Sequence, residues 1–261
     1  LRLGMICTPI LVFDIETIPD IQTGKRLYPE LADLGDDDAL TALIALRHAE
    51  SGTEFMRLPL HKIACLSFLW FDGTTFHLKS LTLQTMSEKE ILVNFLRAFD
   101  KKPVLVSWNG LAFDLPVLMH RSMHHQLSAP ALFGSAQKFG YSYRYGEMHI
   151  DLMDKTALHN NKLHQKLDTV ASLCGFAGKG NLDGSQVLPM VQNSQWDALS
   201  CYCESDVLNT WLIYLRWLTL TGKSSTDECQ ALIDKTNQFV QSLTNSAGKL
   251  RHQSFLDAWV R

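Results

Sequence analysis

Hydrophobic and polar positions along the chain alternate between two periods. Ile10-Leu11-Val12-Phe13 is an uninterrupted apolar run of β-branched and aromatic residues, which predicts a buried central strand ended by Pro19. Ile63–Phe71 and Thr74–Leu81 are partly alternating runs joined by Asp72-Gly73, a strong hairpin signal. Ser87 and Glu90 form a capping box ahead of Ile91, Leu92, Phe95, Leu96 and Phe99, which recur at helical spacing. Pro103–Trp108 predicts another buried strand, Asn109-Gly110 a turn, and Asp114–His125 a helix that tolerates Pro116 in its first turn. His149–Leu152 reads as a last short strand, and helices are expected at Lys166–Cys174 and Gln195–Thr221 around a glycine-rich stretch, Gly175–Gly184.

Between the first strand and the hairpin lies a polar insert, read as irregular except for a helix over Ala39–Glu50. Asp36-Asp37-Asp38 suits the N-terminus of that helix, where it meets the positive end of the dipole. A calcium loop would need an alternation and a glycine that are missing here. The element order predicts an α/β domain over residues 1–221. Its mixed sheet would carry an antiparallel hairpin beside the first strand, with crossover helices making the later strands parallel. Residues 222–261 read as a C-terminal helical extension, with helices at Thr226–Leu243 and His252–Val260, packed on the same domain.

Composition narrows the class. The 261 residues carry a net charge of −3, which excludes a broadly basic nucleic-acid coat but not a nucleic-acid enzyme whose own site is acidic. Six scattered cysteines without a Cys-x-x-Cys pair read as mostly buried, reduced thiols of a cytoplasmic protein. No apolar stretch reaches the roughly 18–20 residues of a membrane span. The N-terminus lacks a signal-peptide layout, because Asp14 and Glu16 interrupt its apolar run. Met5 stands just ahead of the first strand, and residues 1–4 read as foreign or upstream sequence.

The chemistry begins with that acid pair. Asp14 and Glu16 are two apart on a strand, so they share a face, and like charges there call for a divalent cation. Asp114 falls just past a strand end, where functional groups collect in open α/β sheets. Tyr202 and Asp206, four apart on a helix, share one helical face.

Asp-x-Glu on a first strand, Asn-Gly-x-x-Phe-Asp after a later one and a closing Tyr-x-x-x-Asp resemble the three motifs of the DEDDy 3′–5′ exonucleases, which have a ribonuclease-H-like fold. More narrowly, the chain resembles bacterial stand-alone exonucleases related to the proofreading domain of family-B DNA polymerases. His149-Ile-Asp-Leu152, Leu167-Asp168, Gly175–Val187, Tyr202–Thr210 and a Phe255–Trp259 ending support the narrower likeness. The resemblance implies Asp14, Glu16, Asp114 and Asp206 as ligands of two Mg²⁺ or Mn²⁺ ions, with Tyr202 orienting or helping to deprotonate the attacking water. Two such ions about 3.5–4 Å apart suit phosphodiester hydrolysis, and hard cations prefer carboxylate oxygens. Position 201, where the histidine-bearing branch of these enzymes would place its base, is Cys201.

Thr17, Asn109, Phe113, Arg144 and Lys179 are the candidate substrate contacts, with Phe113 stacking on a base and Lys179, like Lys166, reaching phosphates. Plain turn and core roles compete for Asn109 and Phe113. Tyr141, Tyr143 and Tyr145 alternate on one extended segment near Lys138, as a stacking wall or as inward-packed core. The implied activity is a 3′–5′ exonuclease on single-stranded nucleic acid, DNA before RNA, with no attached polymerase, no membrane and no protein partner indicated. An exoribonuclease on the same site, a non-catalytic nucleic-acid-binding module and a ribonuclease-H-type endonuclease are the alternatives.

Overall fold

The computed structural model describes residues 8–135, 138–178 and 183–259. In chain order its first half contains β1 (Ile10–Pro19), α1 (Ile21–Leu27), α2 (Asp36–Ser51), β2 (His61–Phe71), β3 (Phe76–Thr82), α3 (Glu88–Leu96), β4 (Val104–Ser107) and α4 (Asp114–His124). Then follow β5 (Gly134–Ser135), β6 (Lys138–Phe139), β7 (His149–Asp151), α5 (Leu152–Thr156), α6 (Leu167–Leu173), α7 (Val187–Gln192), α8 (Trp196–Leu220), α9 (Thr226–Ser242) and α10 (Gln253–Ala258). The main sheet runs β3-β2-β1-β4-β7, with β1, β4 and β7 parallel and the β2–β3 hairpin antiparallel. This is the mixed sheet the element order predicts.

Strand alternation places β1 between two layers. Ile10 and Val12 pack with Val207, Leu208 and Trp211 of α8. Leu11, Phe13 and Ile15 face the opposite way, onto Phe95 of α3 and Leu115 and Leu118 of α4. A strand covered on both faces must be apolar on both, which is why the run before Asp14 has no polar residue. The hairpin turn is four residues long: Asp72 Oδ1 accepts from Thr74 N and Thr75 N at 2.8 and 2.7 Å. That side-chain competition with the ladder delays β3 to Phe76, two residues beyond the start the pattern suggests.

Two expectations change. The insert after β1 is not irregular at its start, because Asp20 caps α1 by accepting from Thr23 N at 3.0 Å. The three tyrosines share no face, since their segment consists of turns rather than a strand. Tyr141 is buried and donates to the Pro103 carbonyl at 2.8 Å, whereas Tyr145 is exposed. The Ser87–Glu90 capping box is present at α3, and Asp36–Asp38 fill the first turn of α2.

The C-terminal helices lie against α8. Trp211 Nε1 donates to Thr236 Oγ1 at 2.9 Å, joining α8 to α9. Further on, Glu204 of α8 accepts from Arg251 at 2.7 and 3.1 Å and from His252 at 2.9 Å. The five described cysteines are free thiols, with Cys65, Cys203 and Cys229 buried and Cys174 and Cys201 half-buried. Among the described residues no helix is long and apolar enough to cross a membrane.

The Glu204 clamp gives the fold a pH dependence. Burial alone would lower His252, but its hydrogen bonds to Cys201 and Glu204 outweigh that and raise it to about 9. A histidine raised in the folded state stabilises fully below its unfolded value, about 6.5, and loses that contribution as pH rises through the folded value. Wild-type protein should therefore melt higher than His252→Gln at pH 6, with the gap closing between pH 6.5 and 9. A gap that is constant across that range in paired thermal melts would contradict this.

Candidate active site

The acid pair owes its placement to the middle of β1, just past the residues that pair with β4. Asp14 and Glu16 project to the same side as Ile10 and Val12, toward α8. There the β1–β2 ladder slips: Glu16 pairs with Cys65 and Thr17 with Ile63, leaving Ala64 as an extra residue. A bulge of this kind bends the strand and re-aims the side chains beside it.

Asp114 arrives from β4, the parallel neighbour of β1. It is the first residue of α4 and is buried, and its Oδ1 accepts a 3.2 Å hydrogen bond from Ile15 N, between the two acids in sequence. Burial, then the charge of Asp14, pushes the Asp114 carboxyl well above the usual carboxylate range. The turn that delivers it is organised by Asp151 at the end of β7. Asp151 accepts from Asn109 N at 3.0 Å and from Leu111 N at 2.9 Å, with Asn109 in the left-handed region at φ +68°. Gly110 is required for close approach, because a Cβ there would meet Ser107 Oγ at 2.2 Å.

From α8 come Tyr202, Cys203 and Asp206, all buried. Cys203 is the one the sequence reading missed. Its Sγ donates to Asp14 Oδ2 and to the Asp14 carbonyl, both at 3.5 Å. Ligand atoms of Asp14, Glu16 and Cys203 all lie within 4.8 Å of one another. Burial holds the Cys203 thiol well up, helped by the neighbouring Cys65 thiol and the charges of Asp14 and Glu16. Tyr202 packs among Ala64, Cys65, Val187 and Leu199. It also borders a cavity of about 240 Å³ that holds Cys201, Arg251 and His252.

A groove of about 390 Å³ runs from Glu16 and Thr17 to Phe113. Phe55 and His61, not singled out by the sequence, complete its wall. Ring centroids lie 4.9 Å apart for Phe55–His61, 5.1 Å for His61–Phe113 and 5.5 Å for Phe55–Phe113. His61 Nε2 sits 3.1 Å from the Met56 carbonyl, which only accepts, so Nε2 carries the proton. The Thr17 hydroxyl therefore donates to Nδ1 at 2.7 Å. Burial keeps His61 below its usual value and hence in this neutral form.

Other candidates lie elsewhere. Asn109 and Arg144 share a separate recess with Asp151 and Asp154. Arg144 forks onto Asp154 at 3.0 and 2.6 Å and donates to the His159 carbonyl at 2.9 Å. Those bonds commit most of its donors within the chain. Lys179 lies outside the described residues.

The donor chemistry suits a hard divalent cation. Asp14 and Glu16 offer carboxylate oxygens, and a cation beside buried Asp114 would favour the ionised form that burial and the charge of Asp14 disfavour. A protonated thiol at Cys203 adds a hydrogen-bond donor rather than a competing soft ligand.

A family described as predicted 3′–5′ exonucleases related to the exonuclease domain of PolB matches residues 53–259. That span contains Asp114, Tyr202 and Asp206 and begins after Asp14 and Glu16. Among solved structures, the family B DNA polymerase from the hyperthermophilic archaeon Pyrobaculum calidifontis superposes with a TM-score of 0.50 at 17% identity. The match covers 95% of this chain and 27% of the polymerase chain, so the chain spans about a quarter of that neighbour's length. No curated protein matches the sequence. The fold is thus of the ribonuclease-H-like kind found in polymerase exonuclease domains.

Proposed function

Since the chain belongs to the family of predicted 3′–5′ exonucleases related to the exonuclease domain of PolB, we propose that it removes nucleotides from the 3′ end of single-stranded DNA with two divalent ions. One observation carries this reading. Asp14 and Glu16 lie on β1 just past Ile10–Val12, its residues paired with β4, and Asp114 follows the parallel neighbour β4, so acids pool where the parallel β1–β4 ladder ends. In this reading the nuclease unit is residues 1–221, and residues 222–261 extend it.

Asp14, Glu16, Asp114 and Asp206 would hold two Mg²⁺ or Mn²⁺ ions. Such ions supply charge neutralisation at the scissile phosphate and its leaving oxygen when bound. The chain's own residues do the rest. Phe113 and Phe55 offer faces on which an unpaired terminal base stacks, which favours single-stranded ends over paired ones. Thr17, its hydroxyl oriented by His61, contacts the terminal sugar from the floor of the same groove. Tyr202 positions the attacking water through its phenol oxygen. Tyr202→Phe should then lower kcat by about 10–10²-fold with KM little changed, less than loss of any acid.

The test is a gel assay with 5′-labelled single-stranded DNA and RNA of one sequence, with Mg²⁺, Mn²⁺ or a chelator. A metal-dependent descending ladder, faster on DNA, is expected. A faster RNA ladder would reassign the substrate, and folded protein that cuts neither strand would overturn the enzyme assignment.

A further inference from the structure

The cavity beside Tyr202 contains a second constellation that the nuclease reading does not use. Cys201 Sγ lies 3.4 Å from His252 Nδ1, and His252 Nε2 lies 2.9 Å from Glu204 Oε2. A carboxylate only accepts, so Nε2 is protonated and the ring is fixed with Nδ1 facing the sulfur. A cysteine beside an imidazole that is itself oriented by a carboxylate is the arrangement that activates a thiol nucleophile. From these contacts we infer that Cys201 is a nucleophilic thiol, activated by His252 and Glu204, that reacts with hydroperoxides.

Several features single out this cysteine. Cys65, Cys203 and Cys229 are fully buried, whereas Cys201 is half-buried on a cavity of about 240 Å³. Cys174 is comparably exposed, but among the described residues no imidazole or carboxylate is hydrogen-bonded to it, and burial pushes its thiol up. Two groups hold the histidine and the thiol in place: Glu204 from α8 and Arg251 from the segment before α10. Arg251 fixes the carboxylate at 2.7 and 3.1 Å, and its carbonyl accepts from Cys201 Sγ at 3.4 Å. His252 is held as imidazolium up to about 9, which keeps a proton on the sulfur-facing side of the ring.

The reaction closes in protons and electrons. With His252 already protonated at Nδ1, the Cys201 thiol loses its proton to solvent, the imidazolium holds the resulting thiolate, and a sulfur lone pair attacks one peroxide oxygen. The S–O bond forms as the O–O bond breaks, so sulfur is oxidised by two electrons and the peroxide is reduced. The departing oxygen takes the proton from His252 and leaves as water or an alcohol, with Cys201 now a sulfenic acid. A small electrophile suits the cavity, which also borders Tyr202. The oxidised sulfur would therefore add bulk next to the nuclease residue.

The experiment needs no nuclease activity. The full chain is treated with hydrogen peroxide and dimedone, and adducts are followed by peptide mass mapping. Dimedone should mark Cys201 at least ~10-fold faster than Cys174, and His252→Asn should slow Cys201 by at least ~10-fold without changing Cys174. Equal rates at the two cysteines in the wild-type protein would overturn the proposal. So would a Cys201 rate unchanged in a folded His252→Asn variant.

Discussion

Asp114→Asn should cut turnover by ~10²-fold or more while leaving the metal-free protein at least as stable as the wild type. The two effects have one cause. Asp114 is buried, and Asp14 lies close enough for its charge to raise the Asp114 carboxyl further. A carboxyl raised in the folded state costs stability as pH climbs above its unfolded value, about 3.9, because the unfolded chain ionises freely and the folded one does not. An asparagine keeps an oxygen to accept from Ile15 N, held now at 3.2 Å, and turns an amide donor toward Asp14. The repulsion disappears and the hydrogen bond remains. What is lost is a negative oxygen that a divalent ion would bind. Asp14→Ala and Asp206→Ala should lose activity on the same scale. Kinetics in Mg²⁺ and thermal melts in chelator, run from pH 5 to 8, read out both halves. The variant's relative melting temperature should rise with pH. Near-wild-type turnover would remove Asp114 from the site, and a large stability loss would show that its charge is already compensated.

That trade-off was visible in outline from the residues alone, because period-2 geometry puts Asp14 and Glu16 on one face and the Asn109-Gly110 turn delivers Asp114 at a strand end. The parallel placement of β1, β4 and β7 was legible too, because helices stand between β1 and β4 and between β4 and β7 in chain order, as crossover connections require. The partners of these acids were not legible. Cys203 meets Asp14 across 189 positions, and Asp151 holds Asn109 and Leu111 from 40 and more residues away. Neither has a local signature; both follow only once α8 and β7 are laid against β1 and β4. Phe55 is in a loop with no periodicity, so its place beside His61 and Phe113 depends on the fold of the whole insert. Arg144 shows the converse. A basic residue among tyrosines suggested phosphate contact, yet in the fold its guanidinium is taken up by Asp154.

The largest expected stability effect falls on Arg121, a residue with no local sequence signal. Arg121→Leu should destabilise the protein by about 3–5 kcal/mol, the scale for breaking a buried ion pair from one side. Arg121 Nη1 donates to Asp20 Oδ2 at 2.5 Å, while Nε and Nη2 fork onto Glu88 at 2.8 and 2.6 Å. All three side chains are at least nine-tenths buried. Asp20 follows β1 directly and caps α1, and Glu88 Oε1 also accepts from Ile63 N at 2.8 Å, next to the bulge opposite Thr17. Removing the guanidinium leaves two carboxylates buried behind the strand end that aims Asp14 and Glu16. Leucine fills much of the volume but satisfies neither acid. Lysine would restore one charge but not the fork, and should recover only part of the loss. Against a typical total stability of about 5–15 kcal/mol, Arg121→Leu should shift the urea midpoint strongly with little change in slope. A loss below ~1 kcal/mol would mean that Asp20 and Glu88 find water or each other's protons instead, and the strand end would then owe its position to the β1–β2 ladder alone.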